Sequence, residues 1–256
     1  GYEGYMVPAL FEPWALRLIE VASPRDGEDV LDLGCGTGIV ARRIASRTGS
    51  RVTGLDLNPD MLEVARSASA AEQVNIEWRQ GKAEALPYSE GSFDLVVSQF
   101  ALMFFENQQA ALSETRRVLR PGGRLAVSVW QGLERHPFYQ TLHMVLGKQV
   151  GNSTLDTISA LGDPEELRSL LSSAGFERIR IKPFSMTSRF PQPDVFLAGE
   201  IEVDAAAIPA MQRLTPAARQ AIVKAISEEM KGPLQEVTFG NEVVLEFHAN
   251  LALAWR

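Results

Sequence analysis

Apolar positions recur along this chain at two spacings, and the alternation between them predicts its architecture. Short runs at Val30–Leu33, Arg51–Leu57, Val74–Arg79, Phe93–Gln99 and Arg124–Trp130 read as strands, and Phe93–Gln99 is apolar enough for burial on both faces. Between them, apolar side chains fall at helical spacing. Ile39–Thr48 forms one helix stopped by Gly49, Asn58-Pro59 opens a second as N-cap and first-turn proline, and Glu106–Leu119 forms a third, ended by Arg120-Pro121-Gly122-Gly123. Strand–helix units in series require a parallel sheet with helices on both sides, because parallel neighbours need a crossover connection.

The flanking segments add to this pattern. Residues 1–22 carry Met6, Val7, Leu10, Phe11, Trp14, Leu16, Leu18 and Ile19 at helical spacing, interrupted by Pro8 and Pro13, which predicts a cap of short helices. A helix is expected over 136–150, and another, capped by Asp163-Pro164, runs to Gly175. Phe176–Ile181 reads as a sixth strand and Val243–Ala252 as an alternating last one. Between these two lies a helical insert at 185–238, with helices opened by Asp194 and by Thr215-Pro216, the latter closed by Gly232-Pro233. Its apolar stripe, with Phe196, Ile201, Ile226, Met230 and the adaptable Met186 and Met211, must be buried against something. A lid over an acceptor pocket, a surface for a homodimer and padding on the core all satisfy that need.

Composition narrows the function classes. The chain has 256 residues, 45% hydrophobic and 22% charged, which fits one large globular domain. A net charge of −7 argues against nucleic acid as a partner, since such proteins carry a basic face. Cys35 is the only cysteine, so an internal disulfide or multi-cysteine metal site is excluded. No apolar run is long enough for a membrane span and no signal-peptide layout opens the chain, so the expected location is cytoplasmic.

The candidate chemistry centres on Val30-Leu31-Asp32-Leu33-Gly34-Cys35-Gly36-Thr37-Gly38. A strand ends on an acidic residue, three glycines follow at alternate positions, and a helix begins at Ile39. Glycine permits positive φ and close approach of a ligand, and the turn amides with the helix N-terminus are expected to face a pocket suited to a negative group. The nicotinamide fingerprint requires a glycine at position 39, where Ile39 stands. Asp56 ends the second strand, at the sheet edge where ligands bind, and its carboxylate suits a pair of ribose hydroxyls.

Asp-x-Gly-x-Gly-x-Gly resembles motif I of the class I S-adenosylmethionine-dependent methyltransferases, and Leu119-Arg120-Pro121-Gly122-Gly123-Arg124-Leu125 is a phrase common in that family. The resemblance spans residues 29–130. It implies an α/β, Rossmann-like three-layer fold around a seven-stranded, mostly parallel sheet with an antiparallel last strand. It also implies S-adenosyl-L-methionine as cofactor and a small-molecule acceptor. On this reading Gly34, Cys35 and Gly36 cradle the cofactor, Asp56 holds its ribose, and Leu57 and Met61 pack near its adenine. Gln99 opens the segment lining the methyl-transfer site, and Tyr2 or Tyr5 reaches the methionine end, although these aromatics equally fit as packing on the core. At Gly81–Tyr88 relatives commonly carry an aspartate that meets the adenine amino group; here Lys82 occupies that place, leaving the backbone of Ala83 and the carboxylate of Glu84 for the role. Lys82 and Glu84 also fit as plain surface charges. Relatives often carry a histidine near Met103, which this chain lacks. Among His136, His143, His248 and Glu134, His136 is the first choice of catalytic base, although it also fits as a surface residue before Pro137. A nicotinamide-dependent oxidoreductase and a non-catalytic binder of the same cofactor are the alternatives. The acceptor and the methylated atom are not legible.

Overall fold

The computed structural model describes residues 2–150, 160–207 and 213–256. In chain order the elements begin with α1 (Tyr2–Met6), a π-helical turn (Val7–Phe11), α2 (Glu12–Ala22), β1 (Asp29–Leu33), α3 (Ile39–Ala45), β2 (Arg51–Asp56), α4 (Pro59–Ala71) and β3 (Ile76–Gln80). Next come β4 (Phe93–Gln99), a 3-10 turn (Leu102–Phe104), α5 (Gln108–Val118), β5 (Leu119–Trp130), a second 3-10 turn (Leu133–Arg135), α6 (Pro137–Val150) and α7 (Pro164–Ser173). The chain ends with β6 (Glu177–Pro191), α8 (Pro193–Ala207), α9 (Pro216–Glu229), α10 (Lys231–Glu236), β7 (Thr238–Phe239) and β8 (Glu242–Trp255).

The strands lie in the order β3-β2-β1-β4-β5-β8-β6, and β7 pairs with β8 outside that path. β1 is parallel to both β2 and β4, β2 to β3 and β4 to β5. β8 runs antiparallel to β5, from Arg124↔Trp255 to Trp130↔Ala249. This is the mostly parallel sheet with an antiparallel last strand that the resemblance implies. The chain leaves β1 in one direction towards β2 and β3, and later in the other towards β4 and β5. In open α/β sheets the carboxyl ends of strands at such a reversal form the ligand-binding crevice.

Two compact units make up the chain. The sheet unit comprises residues 10–131, 161–184 and 249–256. Leu31, Leu33, Leu95, Val96, Val97, Leu125 and Val127 form its buried centre, and α2 buries Trp14, Ala15, Leu18, Ile19 and Ala22. Its helices start where short polar side chains supply the missing acceptors: Asn58 accepts from the Asp60 amide at 2.9 Å, Asn107 from Ala110 at 2.9 Å and Asp163 from Glu165 at 2.7 Å. At the opposite end of α2, Arg124 donates to the carbonyls of Ala22 and Ser23, each at 2.7 Å, and pairs with Glu28 at 2.8 Å. That buried guanidinium satisfies the carbonyls a helix leaves open at its end.

The second unit comprises residues 1–9, 132–160 and 185–248, so it draws on more of the chain than the insert expected at 185–238. Its interior holds Phe138, Leu142, Leu146, Phe190, Phe196, Ile201, Ile226 and Met230, with α9 packed on α6 and α8. Two expectations are corrected here. β6 does not stop at Ile181 but continues to Pro191, because alternation persists through Met186, Ser188 and Phe190, so the insert opens as a strand. Gly232-Pro233 does not close the helix opened by Thr215-Pro216: α9 ends at Glu229, and Pro233 sits in the first turn of α10, where its missing amide costs nothing. Positions 208–212, including Met211, lie outside the described residues.

Candidate active site

The turn after β1 is built by spending its own donors. Gly34 and Cys35 donate their amides to the Leu55 carbonyl at 2.8 and 3.1 Å, Gly38 donates to Cys35 at 2.8 Å, and Gly36 donates to Oδ2 of Asp56 at 2.8 Å. At the N-terminus of α3, the Ala41 amide donates to Oδ2 of Asp32 at 3.0 Å. Five of the amides of this turn and helix start are therefore engaged within the protein, and two carboxylates, those of Asp32 and Asp56, stand at it. That leaves less of an amide pocket for a pyrophosphate than the glycine spacing alone suggests, and it offers acceptors to a ligand that brings hydroxyls.

The turn nevertheless leaves room. Gly34 and Gly36 have φ of 67° and 53°. A Cβ on Gly34 would stand 2.5 Å from that of Ala101, whereas one on Gly36 would meet nothing within 4 Å. Gly36 thus borders open space, a cradle that a side chain would fill. Asp56 faces the same turn, with Oδ1 accepting from the Asn58 amide at 2.8 Å, and its carboxylate retains lone pairs for two further donors.

The remaining candidates fall into two groups. At the ends of β2 and β3, the Asp56 carbonyl accepts from the Gly81 amide at 3.0 Å and Gln80 donates to the Leu57 carbonyl at 3.1 Å, which fixes the edge followed by Leu57, Met61 and Ala83. Leu57 is 56% exposed, unusual for a large apolar side chain and suited to covering a flat ligand; Ala83 is buried. Lys82 pairs with Glu106 at 3.2 Å, both well exposed, so it behaves as a surface charge. Glu84 accepts from the Asn107 amide at 3.2 Å, beside the start of α5.

At the end of β4, Gln99 donates through Nε2 to the Phe11 carbonyl at 3.0 Å, while its Oε1 is buried with no partner. A buried carbonyl without a donor costs about 1–3 kcal/mol, so a ligand donor placed there is favoured. Phe100 follows with φ of 51°, where a bulky side chain costs about 1–3 kcal/mol. Its ring stacks on Trp130 at 3.6 Å between centroids, and Trp14 stands edge-on to both at 5.7 Å. Phe11 adds another edge contact at 6.4 Å. Phe11 and Trp14 lie on the helical stripe of residues 1–22 and Phe100 follows Gln99 in the chain; nothing in their spacing announces that they meet Trp130.

Asp32 was not among the candidates. It is buried, and burial, with the charge of Asp56 adding to it, pushes its carboxyl up to about 7 against the opposing bond from Ala41. Cys35 is also buried, which raises its thiol well above the ordinary range.

Two candidates, Tyr5 and His136, belong to the second unit, where their contacts give them structural roles. Tyr5 donates its hydroxyl to the Pro191 carbonyl and leans on Phe190; burial, with Glu200 adding, pushes that hydroxyl to about 12. It is spent on its own unit. His136 is buried, with Nδ1 facing the Gly132 carbonyl at 3.2 Å and Nε2 accepting the His248 amide at 3.0 Å. Those partners assign the proton to Nδ1 and leave no nitrogen free to act as a base. Burial lowers its pKa in keeping with a neutral ring. None of the three histidines lies in the sheet unit.

Comparison with known proteins identifies the family. Residues 31–127 match the family described as "Methyltransferase domain". The chain is 34% identical over 190 residues to the ubiquinone/menaquinone biosynthesis C-methyltransferase UbiE of Paracoccus denitrificans, covering 68% of this chain and 76% of that one. It is 31% identical over 177 residues to the demethylmenaquinone methyltransferase of Thermus thermophilus, covering 64% and 80%. Among solved structures, a Haemonchus contortus phosphoethanolamine N-methyltransferase with S-adenosylhomocysteine has a TM-score of 0.58 at 22% identity, over 95% of this chain and 52% of that one, a likeness of fold. Among the described residues no helix is long and apolar enough to cross a membrane, and no group of three or more His, Cys, Asp or Glu is placed to hold a metal ion.

Proposed function

The chain belongs to the class I S-adenosylmethionine-dependent methyltransferases and transfers a methyl group to a small-molecule acceptor, and from that premise we propose that the acceptor is aromatic and that the sheet unit holds the cofactor. In this reading Asp56 accepts the ribose hydroxyls, the backbone of Gly34, Cys35 and Gly36 runs along the cofactor, and Leu57 and Met61 cover the adenine. Ala83 and Glu84 border the adenine edge, and Gln99 Oε1 accepts from the ammonium of the methionine end. The occupied amides support a cofactor with cationic rather than phosphate groups.

S-adenosylmethionine supplies a methyl group on a sulfonium, whose transfer is an in-line displacement that discharges the cation. The protein's part is then to orient the two partners and exclude water, more than to shuttle protons. The occupied nitrogens of His136 are consistent with this division of labour.

The observation that carries the aromatic assignment is the group Phe11, Trp14, Phe100 and Trp130 at the carboxyl ends of β4 and β5, in which Trp14 and Phe100 are buried while Phe11 and Trp130 keep part of their surface open. Such surface takes up a planar apolar ring through stacking and area burial. The names of the relatives point to a carbon atom of a demethylmenaquinone-type acceptor. The test is the release of S-adenosylhomocysteine by the purified protein with reduced quinols and phenols on one side and aliphatic amines on the other. Turnover with the aromatic set is expected; turnover with amines alone refutes the assignment.

A further inference from the structure

Phe100 holds a backbone conformation that glycine adopts freely and a bulky residue resists, yet the chain places an aromatic ring there. The conformation persists because its surroundings fix it. The Phe100 amide donates to the Ser128 carbonyl at 3.0 Å, the ring lies flat on Trp130 with 7° between planes, and Trp14, wholly buried, closes the edge at 83° to Phe100 and 89° to Trp130. The indole N–H of Trp14 has no oxygen or nitrogen partner, so its placement serves ring packing rather than a hydrogen bond. On either side of Phe100 stand the two residues that matter for the site. Gln99 carries the buried, unpartnered Oε1, and Ala101 packs so closely on Gly34 that a Cβ there would stand 2.5 Å away.

We propose that Phe100, clamped between Trp130 and Trp14, is a positioning residue for the cofactor: the strained turn aims the Gln99 carbonyl and presses Ala101 against the glycine turn, so that both ends of β1 and β4 are held in binding geometry. A glycine at position 100 would satisfy the backbone but lose the clamp. The inference rests on the reading that the glycine turn and Gln99 hold S-adenosylmethionine.

Calorimetric titration of S-adenosylmethionine tests it, run well below each variant's melting temperature. Phe100→Ala and Trp130→Leu are each expected to weaken binding about tenfold, the loss of one cofactor hydrogen bond. Phe100→Tyr, which keeps the ring face, retains wild-type affinity. Phe176→Ala removes an equally buried ring from the same unit, just before β6, and is expected to lower the melting temperature while leaving affinity unchanged. Wild-type affinity in both Phe100→Ala and Trp130→Leu overturns the proposal, as does an equal loss in Phe176→Ala. Should Phe100→Ala fail to fold, Trp130→Leu alone decides. Asp56→Ala is measured alongside: unchanged affinity there refutes the cofactor reading itself, whereas loss there with none in the clamp variants refutes only the clamp.

Discussion

The turn after β1 and the surroundings of His136 are both dense with satisfied polar groups, yet only one of them is suited to binding. At His136 both ring nitrogens are consumed by backbone, and the ring is buried beside Phe247 and His248. At the glycine turn the amides of Gly34, Cys35, Gly36 and Gly38 are consumed too, but the result is a rim around open space at Gly36 with the carboxylate of Asp56 beside it. A saturated hydrogen-bond network thus marks a site only where it braces an opening. Without the opening it is structure.

Filling the opening breaks that contrast most severely. Gly36→Val places a branched Cβ in the free space and in the left-handed region, at a strain of about 1–2 kcal/mol, and is expected to abolish S-adenosylmethionine binding by calorimetry. Asp56→Ala keeps the opening but removes its acceptor, and is expected to weaken binding about tenfold or more through loss of charge-assisted bonds worth about 1.5–3 kcal/mol.

His136 sharpens the other side. Its folded pKa lies below the unfolded value, so the unfolded chain takes up a proton that the folded chain refuses. Stability is therefore complete above about pH 6.5 and falls as pH drops below it towards the folded value. Denaturant melts across that range are expected to show this slope in the wild type and to lose part of it in His136→Asn, with cofactor affinity at neutral pH unchanged.

Asp32 is tested through stability rather than through binding. Its folded pKa, about 7, is raised above the unfolded value, so its contribution is fully present below about pH 4 and is lost as pH rises to about 7. Asp32→Asn keeps an oxygen for the Ala41 amide and is expected to match the wild type near pH 4 and to exceed it in stability near pH 8. Equal stabilities at both values would show that Asp32 is ionised at little cost.

The sheet was legible because its signals are local. Period-two and period-3.6 runs, an Asn58-Pro59 cap and a glycine turn each act within a few residues, and β4 appears with the expected bounds. What escaped depends on contacts between distant positions. Ala101 against Gly34, Trp130 beneath Phe100 and the His248 amide on His136 have no signature in spacing. The glycine turn itself was half read. Its position and its room for a ligand follow from composition, but the consumption of its amides by Leu55 and Asp56 requires β2 to be aligned beside β1. His136 shows the converse failure: a histidine near the ligand edge invites a chemical role until its partners are known.

Cys35 gives the rim a clock. The only thiol of the chain lies buried under the turn, and its raised pKa keeps it in the unreactive protonated form. An alkylating reagent in solution therefore modifies it only when the turn lifts. The rate of that modification measures how often the rim comes apart, without any engineered label and without an acceptor in hand. A ligand that seals the rim slows the clock in proportion to its occupancy.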